Sequence, residues 1–400
     1  ATAGVFYAAL ARAGVRRPVA AASTAGLALS QAYWLWSLEA QVYPLGLFWM
    51  AWALREALAP RPRPARLGLF QALAMLGHVS HVMFTPAALY VLRRRAGPDW
   101  RRAWACWAGA LGATLLAAYS WAALFCVRPA SFDEWRVWLL GSAALTLNKR
   151  FAWHGAYSWH GLRDWAFMSA RIFSDFLSLS GAASAAAAAL GLGCLGLAGI
   201  GAWRSARSSR RHEAVLCGLW LAPYAALFLS WEPFTTVYRL SDLLPLWLLI
   251  ALALQGLPAA WPGAALAAAL GLLNGVLGIA PHTRPESNPS YLEARWVGSA
   301  TPAGAWVVAT SVGQVYYPYF GHARPLNMRY WDWRLPALAV ELDAMAARGQ
   351  RVFATERALA ASGRKDWFQA YGLRPAFSRG DNTLYEVRRK ESPAAARRRG

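Results

Sequence analysis

Two histidines three residues apart, His78 and His81 in "GHVSHVMFTP", interrupt a stretch of chain that otherwise reads as hydrocarbon. Ionisable groups in an apolar segment are costly and concentrate where they face a partner or a watery cavity. Two roles fit the pair: a hydrogen-bonded couple packed against neighbouring helices, or imidazoles that contact a phosphate or a substrate hydroxyl. A metal pair fits less well, because no other His or Cys stands at ligand spacing from them.

Three further stretches carry polar groups suited to chemistry. "TVYRLSDLLPLWLL" sets Tyr238, Arg239 and Asp242 at the expected outer end of an apolar helix. Its Arg and Asp, at i and i+3, could close a surface salt bridge, yet Arg also grips phosphate through two parallel hydrogen bonds. "SLEAQVYPLG" sets Glu39, Gln41 and Tyr43 at a helix start. An acid there either complements the helix dipole, worth about 0.3–1 kcal/mol, or orients an acceptor as a base. "NKRFAWHGAYSWHGLRDWAF" mixes Trp with His154, His160 and Arg163. Its aromatics suit a membrane interface, and its polar residues suit a sugar or lipid-phosphate site.

The elements that must position these residues are membrane helices. Of 400 residues 57% are hydrophobic, and uncharged windows of about 20 residues recur, which is the length that spans a bilayer. The net charge of +21 comes almost wholly from Arg, collected between apolar segments at Arg12, Arg16 and Arg17, at Arg61, Arg63 and Arg66, at Arg93 to Arg95 with Arg101 and Arg102, and at Arg204 to Arg211. That distribution marks loops on the cytoplasmic side of a membrane and argues against nucleic acid as the partner. Cys106, Cys126, Cys194 and Cys217 show no CxxC spacing, so neither a zinc site nor a disulfide framework is expected. The need for a divalent metal is left open.

The pattern predicts a mainly α, polytopic membrane helix bundle over residues 1–280 and a small C-terminal extracytoplasmic α/β domain over 281–390, with 391–400 disordered. Helices are expected near 18–36, 42–59, 103–126, 182–203, 214–231, 241–257 and 259–280, with an external loop over 127–181. A single crossing over 67–92 would put the third arginine cluster outside. Two short helices, 67–77 and 82–92, joined at "HVSH" return the chain and keep the arginines on one side. In the C-terminal domain "AWVVATS", "QRVFATE" and "NTLYEVRR" read as strands and "LPALAVELDAMAARG" as an amphipathic helix. The opening "ATAGVFYAALARAGVRRP" reads as the second half of a spanning helix, so more chain is expected upstream of Ala1.

Three of these stretches resemble a family. "YWLWSLEAQVYPLGLF", "ALAMLGHVSHVMFTP" and "VYRLSDLLPLWLLIALAL" are similar to segments of the bacterial relatives of protein O-mannosyltransferases, membrane glycosyltransferases of the GT-C fold. The likeness covers roughly residues 1–260 in order of elements. It implies an enzyme of the bacterial inner membrane that moves a sugar from a polyprenyl-phosphate carrier to a hydroxyl of a protein or glycan acceptor on the outer face. The family favours Glu where this chain has Gln41, and it holds its catalytic acid in a first external loop, which the resemblance places upstream of Ala1. His81 and Arg239, with His78 behind them, are the expected binders of the departing phosphate. A transporter or flippase of a lipid-linked or anionic substrate, or a noncatalytic relative, are the competing readings; a transporter calls for internal symmetry and mid-membrane acids that the sequence does not display.

Overall fold

The computed structural model describes residues 1–38, 42–129, 131, 132, 134, 135, 159–175, 177, 180–230, 235–280, 283–310, 313–331, 335–380 and 382–389. Two compact units divide the chain, Ala1–Ala280 and Pro281–Gly400. The protein is mainly helical. Among the described residues four stretches are long and apolar enough to cross a membrane: Val79–Val127, Gly181–Ala206, Arg211–Leu229 and Val237–Gln255.

In the first unit the helices are α1 (Thr2–Arg12), α2 (Arg17–Leu29), α3 (Gln31–Leu38), α4 (Tyr43–Ala57), α5 (Pro64–Gly77), α6 (Thr85–Ala96), α7 (Trp100–Trp121), α8 (Trp159–Arg171), α9 (Gly181–Ala206), α10 (Arg211–Ser230), α11 (Leu243–Gln255) and α12 (Trp261–Leu272). Pro at the first turns of α2, α4, α5, α6 and α12 suits positions whose N–H has no helical partner. The helix expected over 18–36 breaks at Ser30, whose hydroxyl bonds back to the carbonyl of Gly26. The stretch expected as one external loop over 127–181 contains α8; residues 136–158 lie outside the described residues.

Helix α11 is apolar all round, and every residue from Leu243 to Leu254 is buried, so it is the central element of its unit. Its docking against α2 depends on a missing side chain. A Cβ on Gly26 would stand 2.1 Å from Trp247 Cη2, so only glycine admits the indole. The ring nitrogen then donates to Ser30 Oγ at 2.9 Å, which satisfies the polar edge of a buried Trp.

The chain does break at His78, which is extended, and continues as a 3-10 turn, Val79–Phe84, into α6. Contacts with α10 fix the direction of α6. His81 meets Tyr224, Phe84 meets Trp220 and Tyr90 meets His212, so numbers rise in one segment as they fall in the other. Helices α4 and α5 are likewise antiparallel, with Gly77 against Gly46 at one end and the Arg63 N–H on Glu56 at the other. Hydrogen bonds tie Arg12 to the carbonyl of Arg55, Arg210 to that of Ala13, and Arg16 to those of Gln255 and Leu257. The arginine clusters thereby gather at one end of the helices, and the His78–His81 turn lies at the other.

The second unit is built on a five-stranded sheet of order β2-β1-β3-β5-β4, formed by β1 (Trp306–Ala309), β2 (Arg324–Asn327), β3 (Val352–Thr355), β4 (Leu373–Arg379) and β5 (Asn382–Val387). Strands β1, β2 and β3 are parallel, and β5 pairs antiparallel with both β3 and β4. All four residues of β3 are buried, as a strand covered on both faces requires. One layer of core joins Val308, Leu338, Leu342 and Phe368, and another joins Ala294, Val307, Tyr317 and Phe353.

Candidate functional site

The arginine-poor end of the first unit brings together most of the polar residues singled out above. The 3-10 turn Val237–Asp242 organises them. Three residues per turn put Tyr238 and Ser241 on one of its faces and Arg239 and Asp242 on the next. The turn therefore divides the candidates into two adjoining groups.

On the first face, rings of Tyr43, His78 and Tyr238 form a triangle with centroids 4.9, 5.7 and 5.9 Å apart, all three half-buried. Phe228 stacks on Tyr238 from behind. The Nδ1 of His78 lies 2.6 Å from Ser80 Oγ, which orients the ring. His81 is more enclosed, at 5% exposed. Its Nδ1 is 2.8 Å from the hydroxyl of Tyr224, and its Nε2 lies over Gly46, where a Cβ would come within 2.7 Å. His81 is thus a packed, hydrogen-bonded side chain, and His78 is the histidine that offers an accessible edge. Both sit on a turn pinned by Gln71, which donates to the carbonyl of His81 at 3.2 Å and to Thr85 Oγ1 at 3.0 Å while accepting from Trp107 Nε1.

On the second face, Arg239 and Asp242 are 3% and 2% exposed and form an ion pair at 2.5 Å. Arg239 also donates to Ser169 Oγ at 2.9 Å and to the carbonyl of Trp165 at 3.3 Å, and its guanidinium lies 4.8 Å over the indole of Trp165. Three of its five N–H groups are thereby used. Among the described residues Asp242 Oδ1 and Trp165 Nε1 are buried without a hydrogen-bond partner. These groups border a groove of 430 Å³ between α8, α9, α10 and α11, otherwise walled by Leu195, Leu221, Ala225 and Leu246. Buried polar atoms in natural proteins are nearly all satisfied; these two belong to residues that border the groove, while others, such as Ser23 Oγ and Trp220 Nε1, lie away from it.

Glu39, Gln41 and His154 lie outside the described residues, and so does the side chain of His160. Arg163 is exposed, pairs with Asp164 at 3.0 Å, and borders a separate apolar groove between α8 and α9. Sequence reasoning overlooks Gln71, Trp165, Ser169 and Tyr224. Gln71 had a readable signal, a lone amide seven residues before His78 in an apolar helix. Tyr224 had none, because an aromatic next to Pro223 in an apolar helix is commonplace. No group of three or more metal-binding side chains occurs among the described residues. No protein-family model, curated protein or solved structure matches the chain.

Proposed function

We propose that this chain is a polytopic membrane glycosyltransferase of the GT-C type, which moves a sugar from a polyprenyl-phosphate carrier to an acceptor hydroxyl. The observation that carries this reading is a buried cation at the head of an apolar groove. Arg239 retains N–H groups that no described residue accepts, Trp165 Nε1 and Asp242 Oδ1 stand unpaired beside it, and the walls below are hydrocarbon. An anionic phosphate complements Arg239 and Trp165 Nε1, a sugar hydroxyl can donate to Asp242 Oδ1, which as a carboxylate oxygen only accepts, and a prenyl tail matches the hydrocarbon walls.

Transfer forms a bond between the acceptor oxygen and the anomeric carbon as the bond to the carrier phosphate breaks. Negative charge grows on the leaving phosphate, and a fixed guanidinium in a dry site stabilises it more strongly than water would. The acceptor must lose its proton to a carboxylate. The triangle of Tyr43, His78 and Tyr238 on the adjoining face encloses only about 10 Å³, too little for a sugar ring, and its half-buried rings are offered to an acceptor hydroxyl. The positive-inside rule supports a cytoplasmic arginine-rich end, and in this reading the site faces the outer side of a bacterial inner membrane.

The test uses the full-length protein, with whatever chain precedes Ala1, reconstituted in vesicles with a polyprenyl-phosphate-linked hexose and a hydroxyl acceptor. Release of free polyprenyl phosphate that disappears in an Arg239→Met, Asp242→Leu double variant supports transfer. Movement of the intact lipid between leaflets without release supports a flippase. Neither activity supports a noncatalytic relative.

A further inference from the structure

The arginine-rich end of the first unit holds a cavity that sugar transfer does not use. Its volume is 380 Å³, and Arg12, Arg55, Arg61, Arg63 and Arg66 surround it together with one acid, Glu56. That acid is committed elsewhere: it is 5% exposed, and its Oε1 accepts the backbone N–H of Arg63 at 2.7 Å. Arg55 is held over the indole of Trp52 at 4.9 Å, and Arg12 donates to the Arg55 carbonyl at 3.3 Å. None of the five arginines forms an ion pair among the described residues.

Five guanidiniums against one carboxylate leave the space net positive, which favours an anion from outside the chain. Pro60, Pro62 and Pro64 stiffen the segment that carries Arg61 and Arg63, so little freedom is lost when a ligand binds. Several guanidiniums in a fixed array match the oxygens of phosphate better than those of a monovalent halide. The cavity sits where α1 and α4 end and α5 begins, which is headgroup level for helices that cross a bilayer.

We infer that the cavity formed by Arg12, Arg55, Arg61, Arg63 and Arg66 binds a phosphate-ester anion at the end of the helices opposite the candidate transfer site. An anionic phospholipid headgroup and a soluble phosphate ester share this chemistry, and binding measurements separate them.

The full chain is purified in a zwitterionic detergent, and binding of phosphatidylglycerol, phosphatidylcholine and glycerol 1-phosphate is followed by native mass spectrometry. Phosphatidylglycerol is expected to bind in preference to phosphatidylcholine. Substitution of Arg61, Arg63 and Arg66 together by Gln is expected to weaken it about a hundredfold, at roughly 1 kcal/mol per charge near a membrane surface. The same triple change at Arg93, Arg94 and Arg95 leaves it within about twofold of wild type, because those residues line no part of the cavity. Glycerol 1-phosphate binding as tightly as the lipid, with the same dependence on the first triple, identifies a soluble source. Equal weakening by both triples, or no preference for phosphatidylglycerol or glycerol 1-phosphate, both net anionic, over zwitterionic phosphatidylcholine, overturns the inference.

Discussion

Replacing Gly46 by Ala probes whether the fit between α4 and the His78–His81 turn is as tight as it looks. The new Cβ would stand 2.7 Å from His81 Nε2, 3.2 Å from its Cδ2 and 3.5 Å from the carbonyl of Ala74. An ordinary contact needs about 3.4 Å, so the imidazole must retreat by about 0.7 Å. It has nowhere to go, because Nδ1 on the opposite side already lies 2.8 Å from the Tyr224 hydroxyl. Either Tyr224 or α4 itself must shift. Overpacking of this kind costs about 1–3 kcal/mol, and a lost hydrogen bond adds about 1 kcal/mol, for a total of about 2–4 kcal/mol. The assay is reversible unfolding in mixed micelles titrated with dodecyl sulfate and followed by circular dichroism. The diagnostic is the pair with His81→Ala, since the clash vanishes when the ring is gone. The double variant is expected to be more stable than the sum of the two single effects by about 1–3 kcal/mol. Additivity within about 0.5 kcal/mol would refute the claim that His81 is wedged between Gly46 and Tyr224.

Three further outcomes are expected. Arg239→Met alone leaves the Asp242 carboxylate buried without a counter-charge and costs about 3–5 kcal/mol, whereas adding Asp242→Leu recovers much of that; an undiminished loss in the double variant contradicts the pairing. Asn274, 4% exposed, donates to the carbonyls of Leu29 and Phe173 and accepts from Ser174; Asn274→Leu removes all three bonds and is expected to cost about 2 kcal/mol at the modest worth of such bonds in a membrane protein, measured in the same micelle titration. In the second unit, burial pushes the carboxyl of Glu386 up, but its hydrogen bonds and ion pairs with Arg351 and Arg388 outweigh this and hold it below the ordinary range. Its stabilisation is therefore present above about pH 4.3, the ordinary Glu value, and is lost as pH falls through the lower folded value. Glu386→Gln should lower the urea midpoint of that unit at pH 7 by the equivalent of about 1 kcal/mol or less, given that both arginines are about half exposed, and should have no effect at pH 2.

What could be read from the sequence follows from how local the signal is. Uniform hydrophobicity from Leu243 to Leu254 announces a helix buried on every side, and that is where α11 lies. The break at His78 is legible from charge bookkeeping alone, because five arginines beyond residue 92 belong with the others. Strands β1, β3 and β5 carry β-branched and aromatic residues in short runs and are visible for that reason. Strand β2, "RPLN", has a proline and no alternation; only its parallel register with β1 makes it a strand. Helix α8 is hidden by the Trp-rich composition around it, which reads equally well as an interfacial segment. Within the site, Arg239 and Asp242 are recognisable as an i, i+3 pair. Their separation from Tyr238 depends on the tighter winding of a 3-10 turn, which no residue type signals. Ser169 and Trp165 reach Arg239 from 70 and 74 residues away, and nothing local predicts such a meeting.

The notch at Gly26 also has a meaning in time. The indole that fills it belongs to Trp247, and its bonding partner Ser30 lies 217 residues upstream. At roughly 5–20 residues per second, a ribosome needs on the order of 10–40 s to make the intervening chain. During that interval α2 is complete, its glycine face is open, and the Ser30 hydroxyl has only the Gly26 carbonyl for company. The helices made before α11 must therefore hold a vacancy at their centre until the most buried of them all arrives. Whatever occupies that seam meanwhile, lipid or an insertion factor, has to leave for the bundle to close.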